Sequence, residues 1–169
     1  MEQYLIDKLF IKRFCLPIDA NIEEYEQGKT CVNSNLCSQF NHVACIFTKK
    51  RILNYGINKM GNGGPGIHAE CDAIRKLCPL RKRKRCRKVD LLVVRLSQKN
   101  KLQMSKPCYK CIETIKYLPN KLGYNIQNIY YSDESGNIVK SNLDALDNGE
   151  KHYSRFIKRS MVNINKEII

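Results

Sequence analysis

A continuous apolar run, Leu91-Leu92-Val93-Val94, limits the folds open to this chain more than any other segment. It lies within a strand predicted at residues 89–96. Neighbouring side chains of a strand point to opposite faces, so four consecutive apolar residues require that both faces be covered. The run therefore predicts a strand inside a sheet that has helices packed on its faces, which is an α/β fold.

The segments on either side of this run alternate between strand and helix patterns. Further strands are predicted at 43–47, 51–58, 126–131 and 138–140, and helices at 22–38, from 68 to 77, from Pro107 onward, at 143–147 and at 153–161. The alternation favours a mixed five-stranded sheet with helices on both faces. No repeat or linker interrupts the pattern, so we expect one domain over residues 1–169. Its motif-bearing core is expected at about 43–140, with peripheral elements at 1–40 and 141–169.

The charge of the chain is strongly unbalanced, with 30 Lys and Arg against 16 Asp and Glu, a net +14. Half of this excess lies in one segment, called here the basic run. Its members are Arg81, Lys82, Arg83, Lys84, Arg85, Arg87 and Lys88. Such a segment favours a polyanionic partner, nucleic acid first, and is also typical of a nuclear localisation signal. The Lys-, Asn- and Ile-rich composition, which an AT-rich genome produces, explains part of the charge, and the sequence leaves these interpretations open.

The apolar pattern, the first residues and the cysteines of the sequence all favour an intracellular protein. No run of about 18 apolar residues occurs, so no membrane span is expected. The first 15 residues mix charged and apolar side chains, which is unlike a signal peptide. The nine cysteines are therefore expected to be reduced thiols of an intracellular protein, in cytoplasm or nucleus.

Two short motifs carry the chemistry. His68 and Glu70 begin one predicted helix, and Cys108 and Cys111 lie in the first turn of another. A spacing of three residues directs both thiols the same way, and the positive end of a helix favours the thiolate that binds metal. With His68 the thiolates supply three zinc-type ligands, which leave one position for water, as in catalytic zinc sites. Glu70 can then carry protons to and from that water.

Together the two motifs, His-x-Glu and Pro-Cys-x-x-Cys, resemble the signature of the zinc-dependent cytidine deaminase superfamily. The order hairpin, helix, strand, helix, strand over about residues 43–140 is similar to that family as well. The resemblance implies a three-layer cytidine-deaminase-like fold and hydrolytic loss of ammonia from cytosine, or from adenine. It implies Glu70 as the proton shuttle. It also implies a Zn2+ site with three protein ligands, His68, Cys108 and Cys111.

Substrate contacts are implied by the same resemblance. Asn58 stands where the family often places an Asn that touches the sugar, and the backbone N–H of Ala69 would contact the base. Tyr131 lies near the loop that reads a neighbouring base in polynucleotide deaminases, where a Tyr can stack. A turn residue for Asn58 and a core side chain for Tyr131 are the alternatives that stay open.

The segment after Tyr131 indicates which branch of this superfamily the chain resembles. A tight turn there would make the last two strands antiparallel, which resembles the branch that holds free-cytidine deaminases and several viral and toxin deaminases. The context Ser105-Lys106-Pro107-Cys108 and the tail after Glu150 are similar to uncharacterised deaminase-like proteins of large DNA viruses. Free-cytidine deaminases of this fold commonly form homo-oligomers, so a second copy of the chain is a further expected partner.

The form of the substrate stays open. The basic run slightly favours cytosine in single-stranded nucleic acid, because each neutralised phosphate adds salt-dependent affinity. Free cytidine or deoxycytidine, or CMP or dCMP, is the alternative. A zinc-containing nucleic-acid-binding protein without catalysis is a third hypothesis, against which the intact Glu70 argues.

Overall fold

The computed structural model describes residues 42–48, 51–59, 66–81, 85–97, 101–154, 156–159 and 161. The chain divides after Gln39, and all described residues lie in the unit from Phe40 to Ile169. The predicted helix at 22–38 lies outside the described residues, as does the middle of the basic run, and the expectation of a single domain stays a prediction. The described strands are β1 (His42–Thr48), β2 (Arg51–Ile57), β3 (Arg87–Leu96), β4 (Leu102–Gln103), β5 (Tyr124–Ser132) and β6 (Ile138–Ser141). The described helices are α1 (Ala69–Arg75), α2 (Tyr109–Lys121) and α3 (Leu143–Asn148).

The strands form one mixed sheet in the order β2-β1-β3-β5-β6. Strand β3 is antiparallel to β1 and parallel to β5, and β6 returns antiparallel to β5. The predicted mixed α/β sheet is thus confirmed. A sixth strand is present because Leu102 and Gln103 fold back and pair with Leu96 and Arg95.

The apolar run lies at the centre of this sheet, as its composition requires. Leu91 and Val93 are fully buried in the main hydrophobic core with Ala44 and Ile46 of β1. Leu92, whose side chain points to the other face, is only 1% exposed. Both faces of β3 are therefore covered.

Helices α1 and α2 contact each other; α1 also contacts β1 and β2, while α2 contacts β5. They therefore share one face of the sheet. The close approach of α1 depends on Gly56, because a Cβ there would collide with the backbone of Ala69 and Ala73. None of the described helices combines the length and apolar composition needed to cross a membrane.

The C-terminal part of the described chain matches the predictions only partly. Strands β5 and β6 form the expected antiparallel hairpin, and Gly136 in its turn has φ +83°, a conformation that glycine adopts without strain. The helix predicted at 153–161 begins later, since residues 156–159 and Met161 are helical but Tyr153 and Ser154 are not.

Candidate metal centre and active site

The two motifs meet because each places a ligand directly before a helix. His68 is the N-cap residue of α1 and Cys108 is the N-cap residue of α2, and both have extended backbone. Cys111 lies one turn into α2 and points to the same side as Cys108. Since α1 and α2 pack against each other, the three side chains converge.

The distances within this cluster match a metal site. Nδ1 of His68 lies 3.2 Å from Sγ of Cys111 and 3.3 Å from Sγ of Cys108, and the two sulfurs are 3.6 Å apart. Zinc with ordinary bond lengths and tetrahedral angles needs separations of about 3.6 Å between N and S and about 3.8 Å between two S atoms. The donor set therefore fits Zn2+ and leaves one of four tetrahedral positions for another ligand.

One of the three donors, Cys108, already favours the protonation state that a cation requires, and a metal that bound here would displace the protons of His68 and Cys111. The hydrogen bond between the Cys108 and Cys111 sulfurs lowers the pKa of Cys108 to about 4, and the hydrogen bond with Cys108 raises the pKa of His68 to about 9. The same bond between the two sulfurs raises the pKa of Cys111. One thiolate is thus already favoured among these side chains, and thiolate is the form that binds metal.

Glu70 stands beside the cluster in the first turn of α1. It is 5% exposed, and burial raises the pKa of its carboxyl to about 7. A carboxyl that is half-protonated near neutral pH can both accept and donate a proton during a reaction. Near neutral pH both protonation states of Glu70 are thus accessible.

A cavity of about 420 Å³ brings most of the predicted site residues together. They are Asn58, His68, Ala69, Glu70 and Cys108. Cys111 is buried behind this wall. Tyr131 is partly buried against the hydrophobic core and is not among the described residues that line the cavity, so its contact with a substrate stays a prediction.

The cavity wall also contains basic residues that sequence reasoning did not assign to the site. Arg95 stands opposite His42 on the neighbouring strand, and the backbone N–H of His42 donates to Oδ1 of Asn58 at 3.1 Å. Burial, with Arg95 nearby, lowers the pKa of His42 to about 4. The available signal for Arg95 was a cation directly after the apolar run Leu91–Val94, near the end of a predicted strand, because ligand sites are often found at strand ends.

A buried hydrogen-bond network fixes the segment that leads to Cys108. The hydroxyl of Ser105 donates to the carbonyl of Val93 at 2.8 Å and accepts from the backbone N–H of Ser132 at 2.8 Å. These bonds join the segment before α2 to β3 and β5. The position of the Cys108 thiol therefore depends on the sheet as well as on α2.

The described members of the basic run lie away from this cavity. Arg81, Arg85, Arg87 and Lys88 are absent from the cavity wall, and the middle residues of the run fall outside the described part of the chain. Arg87 begins β3 and Arg95 lies near its end, so about 26 Å of extended strand separates them. A contact made by Arg87 would therefore be remote from the metal centre.

Comparison with known proteins identifies a family. The model of the cytidine and deoxycytidylate deaminase zinc-binding region matches residues 26–122, which is more than half of the chain and includes the three donors of the cluster. A comparison with curated protein sequences gave no significant match.

Proposed function

Because the chain belongs to the cytidine and deoxycytidylate deaminase family, we propose that it hydrolyses the amino group of a cytosine base and releases ammonia. The observation that supports this most directly is the convergence of His68, Cys108 and Cys111 within 4.8 Å, next to the buried Glu70. Zn2+ held by these three donors supplies an activated water for attack on the ring carbon that carries the amine.

Glu70 performs the proton transfers in this proposal. Its carboxylate accepts one proton from the attacking water and delivers it to the ring nitrogen N3. It then transfers the remaining hydroxyl proton to the departing amine nitrogen, so that the C–N bond breaks, ammonia leaves and a carbonyl remains. The near-neutral pKa of Glu70 supports both steps, since neither protonation state is strongly disfavoured. Burial supports them further by keeping bulk water from the carboxyl.

Asn58 and Ala69 orient the substrate in the same proposal. Oδ1 of Asn58 accepts a hydrogen bond from the backbone N–H of His42, which fixes the orientation of the amide at the cavity wall. Ala69 is the first residue of α1, where a backbone N–H has no acceptor within the helix. We assign the sugar contact to Asn58 and the base contact to Ala69.

A free cytosine nucleoside or nucleotide is the form of substrate that we rank first. The cavity volume falls in the range of small-molecule sites. The antiparallel β5–β6 hairpin is the arrangement expected from the branch that holds free-cytidine deaminases. Single-stranded nucleic acid is the second candidate, favoured by the basic run, and would have to reach from the cavity to residues about 26 Å away.

The test is ammonia release by the purified zinc-loaded chain from cytidine, deoxycytidine, CMP, dCMP and a single-stranded oligonucleotide with one cytosine. The matched control is Glu70→Gln, which keeps the shape of the side chain and removes its ability to accept a proton. We expect activity in the wild type, a loss of at least about 1000-fold in the variant, and equal zinc content in both. If neither protein released ammonia from any substrate while both contained zinc, the proposed deaminase activity would be refuted. A zinc-containing nucleic-acid-binding protein would then be favoured.

A further inference from the structure

The cavity carries more positive charge than the deamination step uses. Arg95, Lys106 and Lys158 contribute to its lining, and Glu70 is the one carboxylate among the described lining residues. The ion pairs of the described residues are made by Asp72 and Asp147 and involve none of these three cations. The balance of charge in the cavity therefore favours an anionic group on the ligand.

Arg95 provides the most specific observation. Its Nε is buried and has no hydrogen-bond partner among the described residues. Buried donors of this kind are almost always bonded in folded proteins, and an unmet one costs free energy. A guanidinium presents its donors in a planar fork that matches the oxygen atoms of phosphate or carboxylate. The unmet donor of Arg95 thus indicates an oxyanion as ligand.

The position of Arg95 relates this oxyanion to the sugar. Asn58 follows β2, His42 begins β1 and Arg95 stands opposite His42 on β3, so the three form a row across neighbouring strands. Asn58 and Arg95 are therefore about 10 Å apart in the sheet, two strand spacings. A group attached to the sugar lies within reach of the long Arg95 side chain when Asn58 contacts that sugar.

Lys106 and Lys158 add positive charge to the wall of the same cavity. Lys106 Nζ donates to the backbone carbonyl of Glu150 at 3.2 Å, which positions the ammonium and leaves two of its three N–H donors for another acceptor. Lys158 belongs to the helical residues 156–159. Lys106, His152 and Lys158 all line the cavity, and burial together with the charges of the two lysines lowers the pKa of His152. The lysine and arginine side chains of the wall thus contribute one guanidinium and two ammonium groups.

We propose that Arg95, Lys106 and Lys158 bind a phosphate group of the substrate, so that the preferred substrate is a cytosine nucleotide rather than a nucleoside. This inference rests on the deaminase function proposed above. The phosphate is a terminal monoester in CMP or dCMP, and it is a diester if the cytosine lies within a strand. Both sources offer the same phosphate oxygens to the three cations.

The experiment compares kcat/KM on cytidine and CMP, and on deoxycytidine and dCMP, for the wild type and for Arg95→Gln, Lys106→Gln and Lys158→Gln. Lys121→Gln, at the exposed end of α2, is the control for loss of a positive charge. Each cavity variant is expected to lower kcat/KM on the nucleotide about 10- to 100-fold, mainly through KM, and to change it less than about 3-fold on the nucleoside. The control is expected to change neither.

A second measurement, equilibrium binding of CMP with inorganic phosphate as competitor, does not depend on turnover. We expect weaker CMP binding in the three variants and competition by phosphate in the wild type. Equal effects of the variants on nucleoside and nucleotide would overturn the phosphate site while deamination stands. Absence of turnover on every substrate would instead refute the proposed function, and CMP binding would still decide the phosphate site. An oligonucleotide with one internal cytosine, preferred over CMP by the wild type, would assign the phosphate to a strand.

Discussion

The carboxylate of Asp72 accepts a hydrogen bond from the backbone N–H of Ile57 at 3.2 Å and so joins α1 to the end of β2. The same carboxylate pairs with Lys59 at 2.7 Å and with Lys76 at 2.6 Å. Asp72 follows Glu70 by two residues and Ile57 precedes Asn58, so this contact links the part of the cavity wall that carries Glu70 to the part that carries Asn58.

Asp72→Asn is expected to lower the free energy of unfolding by about 1–3 kcal/mol at neutral pH. The amide keeps an oxygen for Ile57 but loses both ion pairs in a buried position. Burial acts to raise the pKa of Asp72, but the bonds from Lys59 and Lys76 outweigh it and the pKa lies below 3.8. The contribution is therefore complete above about pH 4 and is lost as the pH falls further. Urea unfolding at pH 7 and pH 3 measures it; an equal difference between wild type and variant at both pH values would contradict this account.

We expect His42 to make the free energy of unfolding depend on pH as well, but over a higher pH range than Asp72 does. Burial first, and then Arg95, lower its pKa from 6.5 to about 4. Between these values the unfolded chain binds a proton that the folded chain does not, so this residue makes stability rise with pH from about 4 to 6.5 and stay constant above. His42→Gln is expected to remove about 2 kcal/mol of that rise. Unfolding free energies of wild type and variant, measured at half-unit steps of pH, test this, and parallel curves would contradict it.

Much of the fold could be predicted because its signals are local. The apolar run at Leu91 to Val94 predicts the central strand without knowledge of its neighbours, and turn residues predict the β5–β6 hairpin. Strand β4 was not predicted, because two residues cannot show a periodicity. The pairing of His42 with Arg95 was not predictable either, since register depends on how separate strands meet.

The same distinction applies to the site. Helix geometry predicts that Cys108 and Cys111 point the same way, and the resemblance of the two motifs to a family signature implies His68 as the third donor. The convergence of the three could therefore be expected before the fold was known. The cations Arg95 and Lys158 come from separate elements and carry no motif, so only the folded chain brings them to one cavity. Metal ligands that lie in short motifs can be predicted from the sequence, whereas the set of residues that lines a substrate site depends on tertiary structure.

Ser105→Ala is expected to destabilise the protein by about 1–3 kcal/mol and to weaken zinc binding about 10-fold. The change removes the acceptor for the buried N–H of Ser132 and the donor to Val93, and it loosens the segment that positions Cys108. Ser135→Ala, at an exposed turn position, is the control. Thermal unfolding and competition with a zinc chelator measure the two effects. Loss of stability with unchanged zinc affinity would show that the network does not position the ligand.

Cys71 and Cys111 provide the sharpest test of which thiols bind the metal. Their sulfurs lie 3.9 Å apart and form a hydrogen bond, and the Cys71 thiol also donates to Oγ1 of Thr114. Yet only Cys111 belongs to the described group of three mutually close donors. We expect Cys111→Ser to lower zinc from about one ion per chain to below about 0.1, because a hydroxyl replaces a thiolate ligand. Cys71→Ser is expected to keep zinc at the wild-type level, since it leaves all three donors in place.

Elemental analysis of the dialysed proteins gives the zinc content of each variant, and thermal unfolding with and without chelator shows whether the metal stabilises the fold. A chelator is expected to lower the unfolding temperature of wild type and Cys71→Ser and to leave Cys111→Ser unchanged, because a bound ligand stabilises only a chain that binds it. Zinc loss in Cys71→Ser would make Cys71 a fourth ligand. That result would close the position that water occupies in the proposed reaction, and it would therefore count against catalysis as well as against the assigned donor set.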